Sequence, residues 1–394
     1  MDADRTTLAE MLKERGYHTA CFGKWHLGWD WNAIRKPGAE PRQEGRSRVF
    51  SADAFDWSKP ISGGPLDHGF DVYFGDDVPN FPPYAWFEND RVITAPTGDL
   101  TITQRTAEGE WEARPGPAVK DWDFHAVMPT LTERATAWID RQQPGEPFFL
   151  YFPFTSPHAP IVPAKEFVGT SQANGYGDFV AQTDAAVGAV LDALEAKGLA
   201  ENTIIIFTAD NGPEHYAYER VRAFDHRSMG LLRGLKRDLW EAGHRVPFIV
   251  RWPGHVPAGR VEDGLMSQID IFATLAAIVG FPILAGSAED SIDQRAMLTA
   301  TGPSARDTLI HNTNPKAYAI RHGDWVMIDA KTGGVSKVPD WFDDANGYAK
   351  NTKAGELYDL RQDLAQKHNR YADEPARVED LRTKLRDIVG ERLE

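Results

Sequence analysis

Apolar positions recur at two periods along the chain, and the switches between them set out its organisation. Leu8, Met11 and Leu12 fall on one side of a helix. Thr7-Leu8-Ala9-Glu10 reads as a capping box, with the Thr7 hydroxyl accepting from the first turn and Glu10 reaching back. Gly16 ends that helix, and residues 18–22 read as a strand. From about residue 29 to 129, Gly, Pro, Trp and Asp dominate and periodic runs are few, so a long irregular excursion is expected. Thr130-Leu131-Thr132-Glu133 is a second capping box, predicted to open a helix to about Arg141. Residues 147–154 form a continuous apolar run, as in a strand buried on both faces. Tyr176, Phe179, Val180, Thr183, Val187, Val190, Leu191 and Leu194 return at helical spacing until Gly198. Residues 203–208 read as a central strand, 246–252 as another strand and 268–279 as a helix.

Strand–helix alternation of this kind predicts an α/β fold with a mainly parallel sheet flanked by helices. After about residue 302 the pattern changes. Short strands are expected at 308–312, 317–321 and 324–329, then a charged amphipathic helix from about 375 to the end. The expected division is a large α/β domain over 1–301 and a small antiparallel sheet with a covering helix over 302–394.

Composition narrows the partners. None of the apolar runs in the 394 residues approaches the 18 or so needed for a transmembrane helix. The formal net charge of −15 argues against nucleic acid or an anionic membrane surface. An anionic substrate would therefore need a locally positive pocket. The one cysteine, Cys21, excludes an intrachain disulfide and reads as a small buried apolar residue. Residues 1–5 do not resemble a signal peptide.

In open parallel sheets, ligands sit beyond the carboxyl ends of the strands. Lys24 and His26 follow the first strand, where alternation would point both to one side. His158, between prolines, follows the apolar run. Asp210-Asn211-Gly212 follows the central strand, although that tripeptide is also a common turn. Gly234-Leu235-Lys236 stands just upstream of Glu241-Ala242-Gly243-His244-Arg245-Val246-Pro247. A carboxylate and an amide oxygen suit Ca²⁺ or Mg²⁺. Two lysines and two histidines suit a tetrahedral dianion and the protonation of a leaving oxygen. Zinc is disfavoured, since no His/Cys cluster has ligand spacing.

Gly16-Tyr17-His18-Thr19-Ala20-Cys21-Phe22-Gly23-Lys24-Trp25-His26-Leu27-Gly28 resembles the second signature of the sulfatase family. Pro157-His158-Ala159-Pro160, Phe207-Thr208-Ala209-Asp210-Asn211-Gly212 and Arg233-Gly234-Leu235-Lys236 follow in the family's order. So do Gly69-Phe70-Asp71-Val72-Tyr73-Phe74-Gly75, Ser267-Gln268-Ile269-Asp270 and Glu356-Leu357-Tyr358-Asp359-Leu360. The resemblance implies an alkaline-phosphatase-type fold and a Ca²⁺-dependent sulfuric ester hydrolase acting on aryl or carbohydrate sulfates. It implies Asp210 and Asn211 as metal ligands, and Lys24 and His26 as residues that hold the nucleophile. His158 and Lys236 would contact the sulfate, with His158 near the leaving oxygen. One departure is Ala242, where the family usually has glycine.

The family nucleophile is a formylglycine made within Cys/Ser-x-Pro/Ala-x-Arg, and the 394 residues do not contain that motif. Thr301-Gly302-Pro303-Ser304-Ala305-Arg306 echoes it out of register and reads as a loop. The family's first strand, with its paired aspartates, is missing too. An N-terminally incomplete reading frame is the expectation, and an export signal upstream would place the protein in a periplasmic or extracellular setting. Two alternatives stay open. One is a non-catalytic protein that binds sulfated glycans through Trp25, Trp29, Trp31, Trp57, Tyr84 and Trp86. The other is a phosphodiester or phosphonate hydrolase of the same superfamily.

Overall fold

In the computed structural model the first capping box forms as expected. Thr7 Oγ1 accepts the Glu10 N–H at 3.1 Å, Glu10 Oε2 accepts the Thr7 N–H at 2.7 Å, and helix α1 (Leu8–Glu14) follows. Gly16 takes φ +82°, which turns the chain directly into strand β1 (His18–Phe22). The described residues are 5–390, apart from 45–46, 102–104, 107–108, 111–112, 285 and 314–316. They form two compact units, Met1–Asn202 with Ile278–Ser287, and Thr203–Ala277 with Ala288–Glu394.

In the first unit β1 is the middle of the parallel part of a five-stranded sheet. Its neighbours are β2 (Val72–Gly75) and, on the other side, β5 (Phe148–Tyr151). The sheet continues antiparallel from β2 through β3 (Phe87–Glu88) and β4 (Arg91–Val92). β2 lies inside the stretch read as irregular; only four residues long, it is too short to show a period. β5 corrects the reading of 147–154. Among the described residues it pairs with β1 alone, and its side chains are half-buried or exposed, so the apolar run belongs to a partly covered strand at the end of the sheet.

Helix α2 (Val127–Ile139) starts three residues before the predicted Thr130. A turn at Phe124–Ala126, capped by Asp123, leads into it, and Pro129 occupies the first helical turn, where a missing N–H costs nothing. Helix α3 (Asn174–Ala196) is as expected in extent, but its buried face differs. Val180 is exposed, while Asp178 and Gln182 are buried. Asp178 accepts the N–H groups of Gly169 and Ser171, and Gln182 that of Ala164, so the helix holds a loop through side-chain oxygens.

In the second unit β6 (Ile205–Thr208) pairs antiparallel with β7 (Phe248–Arg251). Helix α4 (Tyr216–Phe224) lies between them in sequence, and helix α5 (Asp270–Val279) follows. The C-terminal strands are β8 (Thr308–Thr313), β9 (Ala317–His322), β10 (Trp325–Ile328) and β11 (Glu356–Asp359), in that order and antiparallel. Three had been expected; β11 is the Glu356–Leu360 motif. Helix α6 (Pro375–Val389) covers one face, setting Val378, Leu381 and Leu385 against Ile320, Met327 and Leu357. The other face packs Ala319, Val326, Ile328 and Tyr358 against Leu239 and Trp240, which fixes the loop that follows Lys236. No described helix is long and apolar enough to cross a membrane.

Candidate active site

The structure places Lys24, His26 and His158 in the first unit, and Asp210, Asn211 and Lys236 in the second. β1 ends at Phe22, so Lys24 and His26 stand on the loop beyond it and strand alternation does not orient them. That loop is tightly held. The Gly23 N–H donates to Phe74 O at 3.0 Å and the Lys24 N–H to Pro153 O at 3.1 Å, linking the exits of β1, β2 and β5. A Cβ on Gly23 would lie 2.1 Å from Pro153 O. Tyr73, fully buried, donates its hydroxyl at 3.0 Å to Gly23 O and at 2.9 Å to Asp76 O. Lys24 is half-buried, His26 exposed with its ring 6.0 Å from that of Phe81. His158 lies seven residues past β5, half-buried between the cis peptides Ser156-Pro157 and Ala159-Pro160; its Nδ1 is 2.6 Å from Ala159 O.

Two residues that the sequence reading passed over stand at the exit of β2. Asp76 is buried, with one carboxyl oxygen unpartnered. Burial pushes its carboxyl up to about 7, and the Lys24 charge offsets part of that rise. Burial and Asp76 raise the Asp77 carboxyl as well. Their backbone carbonyls receive the Trp25 N–H, at 3.0 Å from Asp77 O. The signal was present as two acids directly after an apolar run, but such a pair reads first as a turn.

In the second unit Asp210 is exposed and Asn211 half-buried at the exit of β6. Asn211 Nδ2 donates to Gly212 O at 3.0 Å, which leaves its amide oxygen unused in that bond. Gly212 N–H donates to Gly243 O at 3.0 Å, and Lys236 N–H to Pro213 O at 2.9 Å, so the two loops are joined by backbone. Asp238 closes the lysine turn, accepting the N–H groups of Leu235, Val335 and Ser336 at 2.8–2.9 Å.

The Glu241–Gly243 turn explains the departure at position 242. Ala242 is buried without a positive φ, so alanine is accommodated. Gly243 is the position that must stay small, since a Cβ there would lie 2.1 Å from Asp238 O. Burial opposes ionisation of Glu241, but His244, Arg321 and Arg245, at 3.6, 3.7 and 3.3 Å, outweigh it and hold its carboxyl at about 2. His311, stacked on His244 at 3.7 Å, is driven to about 3 by burial and by that neighbour.

Asp210 and Asn211 offer the oxygen chemistry that a hard cation takes, but calcium needs six to eight oxygens. Among the described residues no group of three or more His, Cys, Asp or Glu could hold a metal ion. These residues by themselves do not fit a calcium ion. Cys21 is buried, and burial raises its thiol well above the usual value, as suits an inert core residue. The aromatic residues offered as a sugar-binding mouth are mostly interior. Trp25, Trp29 and Tyr84 are buried, Trp31 and Trp57 pack against the same core, and Trp86 stacks on Phe74 at 5.0 Å. The observation that had favoured a glycan-binding protein is thereby removed.

The family model described as Sulfatase matches residues 2–281. An N-acetylgalactosamine-6-O-sulfatase of Bacteroides thetaiotaomicron is 30% identical over 427 residues, covering 98% of this chain and 78% of that protein. Arylsulfatase A of Bos taurus is 31% identical, covering 93% of this chain and 67% of its own length. The chain spans about half, 47%, of the N-acetylgalactosamine-6-sulfatase of Canis lupus familiaris, at 31% identity. A solved structure from work on glycosaminoglycan metabolism by Bacteroides thetaiotaomicron superposes with a TM-score of 0.77 at 28% identity, over 98% of this chain and 82% of the other.

Proposed function

Since the chain belongs to the sulfatase family, whose alkaline-phosphatase-like fold it shares, we propose that it serves the hydrolysis of carbohydrate sulfate esters, with a 6-O-sulfated N-acetylhexosamine as the first substrate to test. Support comes from the sites of the predicted residues. Lys24, His26 and His158 leave the carboxyl ends of the adjacent parallel strands β1 and β5, and Lys236 is bonded to the loop that carries Asp210 and Asn211. In this reading Lys24 and Lys236 neutralise the sulfate oxygens, because ammonium groups in a partly desolvated site act more strongly than in water. His158 gives its proton to the ester oxygen as the S–O bond breaks, and His26 orients the attacking group. Asp210 and Asn211 would be two oxygen ligands of a calcium ion, fewer than it needs, so the chemistry rests on the lysines and histidines.

The formylglycine motif does not occur in the 394 residues. Turnover is therefore tested on a polypeptide that carries these residues behind a Cys/Ser-x-Pro/Ala-x-Arg segment, with conversion to formylglycine confirmed by mass spectrometry. Release of sulfate from N-acetylgalactosamine 6-sulfate is the expected result. Confirmed conversion with no release from that ester or from aryl sulfates would overturn the proposal and leave a sulfate-binding role. Faster release from phosphodiesters than from sulfates would favour the phosphoryl-transferring alternative.

A further inference from the structure

Glu214 stands two residues beyond Gly212 on the loop that carries Asp210 and Asn211, and its side chain is largely buried. Both its oxygens are taken by Arg237, at 3.0 Å from Nη1 and 2.5 Å from Nη2. The same carboxylate accepts the His215 N–H at 3.0 Å and lies 3.1 Å from His215 Nδ1. Arg237 adjoins Lys236 in the chain and sits at φ +78°, a left-handed conformation that costs energy for a residue with a Cβ. A two-pronged guanidinium–carboxylate pair fixes direction as well as distance. The Lys236 backbone is held on both sides, by its N–H to Pro213 O at 2.9 Å and by Ser336 Oγ to its carbonyl at 3.1 Å. The remaining freedom of the turn lies at the strained residue 237, and Glu214 closes it. Burial would raise the Glu214 carboxyl, but Arg237 and the His215 N–H hold it at about 2, so the clamp stays charged through the neutral range.

We propose that Glu214 is a positioning residue for Lys236, acting through Arg237 to hold the lysine at a set place relative to Asp210 and Asn211. The inference rests on the reading that Lys236 contacts the sulfate group. It differs from an ordinary exposed ion pair, which contributes little, because the pair spans two functional loops and restrains a left-handed residue.

The test is a double-mutant cycle on the 394-residue chain, titrated with N-acetylgalactosamine 6-sulfate. E214Q keeps the shape of the side chain and loses the charge, and R237A removes the other half of the clamp. Each is expected to weaken binding by about tenfold in the wild-type background and to leave K236Q unchanged, since contacting or network-sharing residues are non-additive. An unchanged affinity in E214Q would overturn the inference. So would the same loss in K236Q as in wild type, which is what a general structural role gives. If K236Q itself binds the sulfated sugar as wild type does, the reading of Lys236 fails and the inference falls with it. A loss in K236Q together with no effect of E214Q sinks the inference alone.

Discussion

Arg306→Ala is expected to lower the stability of the second unit by about 3–5 kcal/mol, the usual cost of leaving a buried charge without its partner. Asp270 is fully buried at the start of α5, and Arg306 grips both its oxygens, at 2.8 Å from Nε and 2.5 Å from Nη2. The guanidinium also donates to Asp290 O at 2.6 Å and Thr308 O at 3.1 Å, so its loss frees two further acceptors. Arg306→Lys keeps the charge without the fork and should recover only part of the loss. The pH dependence has a definite sign. Burial raises the Asp270 carboxyl, but Arg306 and the Ser267 and Ile292 N–H groups outweigh it, so the folded value lies below the ordinary one. The contribution is then full above the unfolded value of about 3.9 and is lost as pH falls through the folded value. Urea unfolding of wild type and R306A between neutral pH and pH 3 checks this. A difference under about 1 kcal/mol at pH 7 would mean that Arg306 is not the partner that matters.

Gly212→Ala should damage both the fold and the site. A Cβ on Gly212 would lie 1.7 Å from Ala242 O and 2.8 Å from Ala242 C, and these are backbone atoms with nowhere to rotate. The Gly212–Gly243 hydrogen bond must then open, which separates the loop of Asn211 from the loop of Lys236. Overpacking of this kind costs about 1–3 kcal/mol. The larger expected effect is on ligand binding, because the displacement falls between two groups assigned to one ligand. Gly188→Ala in α3, with nothing within 4 Å of the added Cβ, serves as the neutral comparison. Both variants are read by urea unfolding and by titration with a sulfated sugar. If G212A keeps the wild-type unfolding midpoint and sugar affinity, the close approach of these loops is wrong.

Local signals were the legible ones. Thr7, Glu10 and Gly16 specify a helix start and stop through contacts three residues apart or through one backbone angle, and these formed as read. Thr130 misled because Thr-x-x-Glu is also ordinary mid-helix sequence, and the true start depends on Asp123 and a turn ahead of it. The candidate site residues were visible as polar groups after apolar runs. What anchors them was not. Glu214 and Arg237 are 23 positions apart, and Asp270 and Arg306 are 36 apart, so no local period reports either pair. Arg306 stood in a segment read as a plain loop, and its role depends entirely on the fold bringing Asp270 to it. The aromatic residues point the same way, since whether Trp29 faces sugar or core depends on Tyr73 and Phe87, on which it packs at 5.8 and 5.2 Å.

The most direct measurement is calorimetric titration of the 394-residue chain with N-acetylgalactosamine 6-sulfate and, in parallel, with unsulfated N-acetylgalactosamine, for wild type, K24A and K236A. Charge-assisted hydrogen bonds to the sulfate predict that the sulfated sugar binds about ten- to a hundredfold more tightly than the unsulfated one, and that each lysine variant loses a large part of that preference. Equal affinity for the two sugars, or a sulfate preference that survives in both lysine variants, would contradict the assignment of these loops to sulfate-ester recognition.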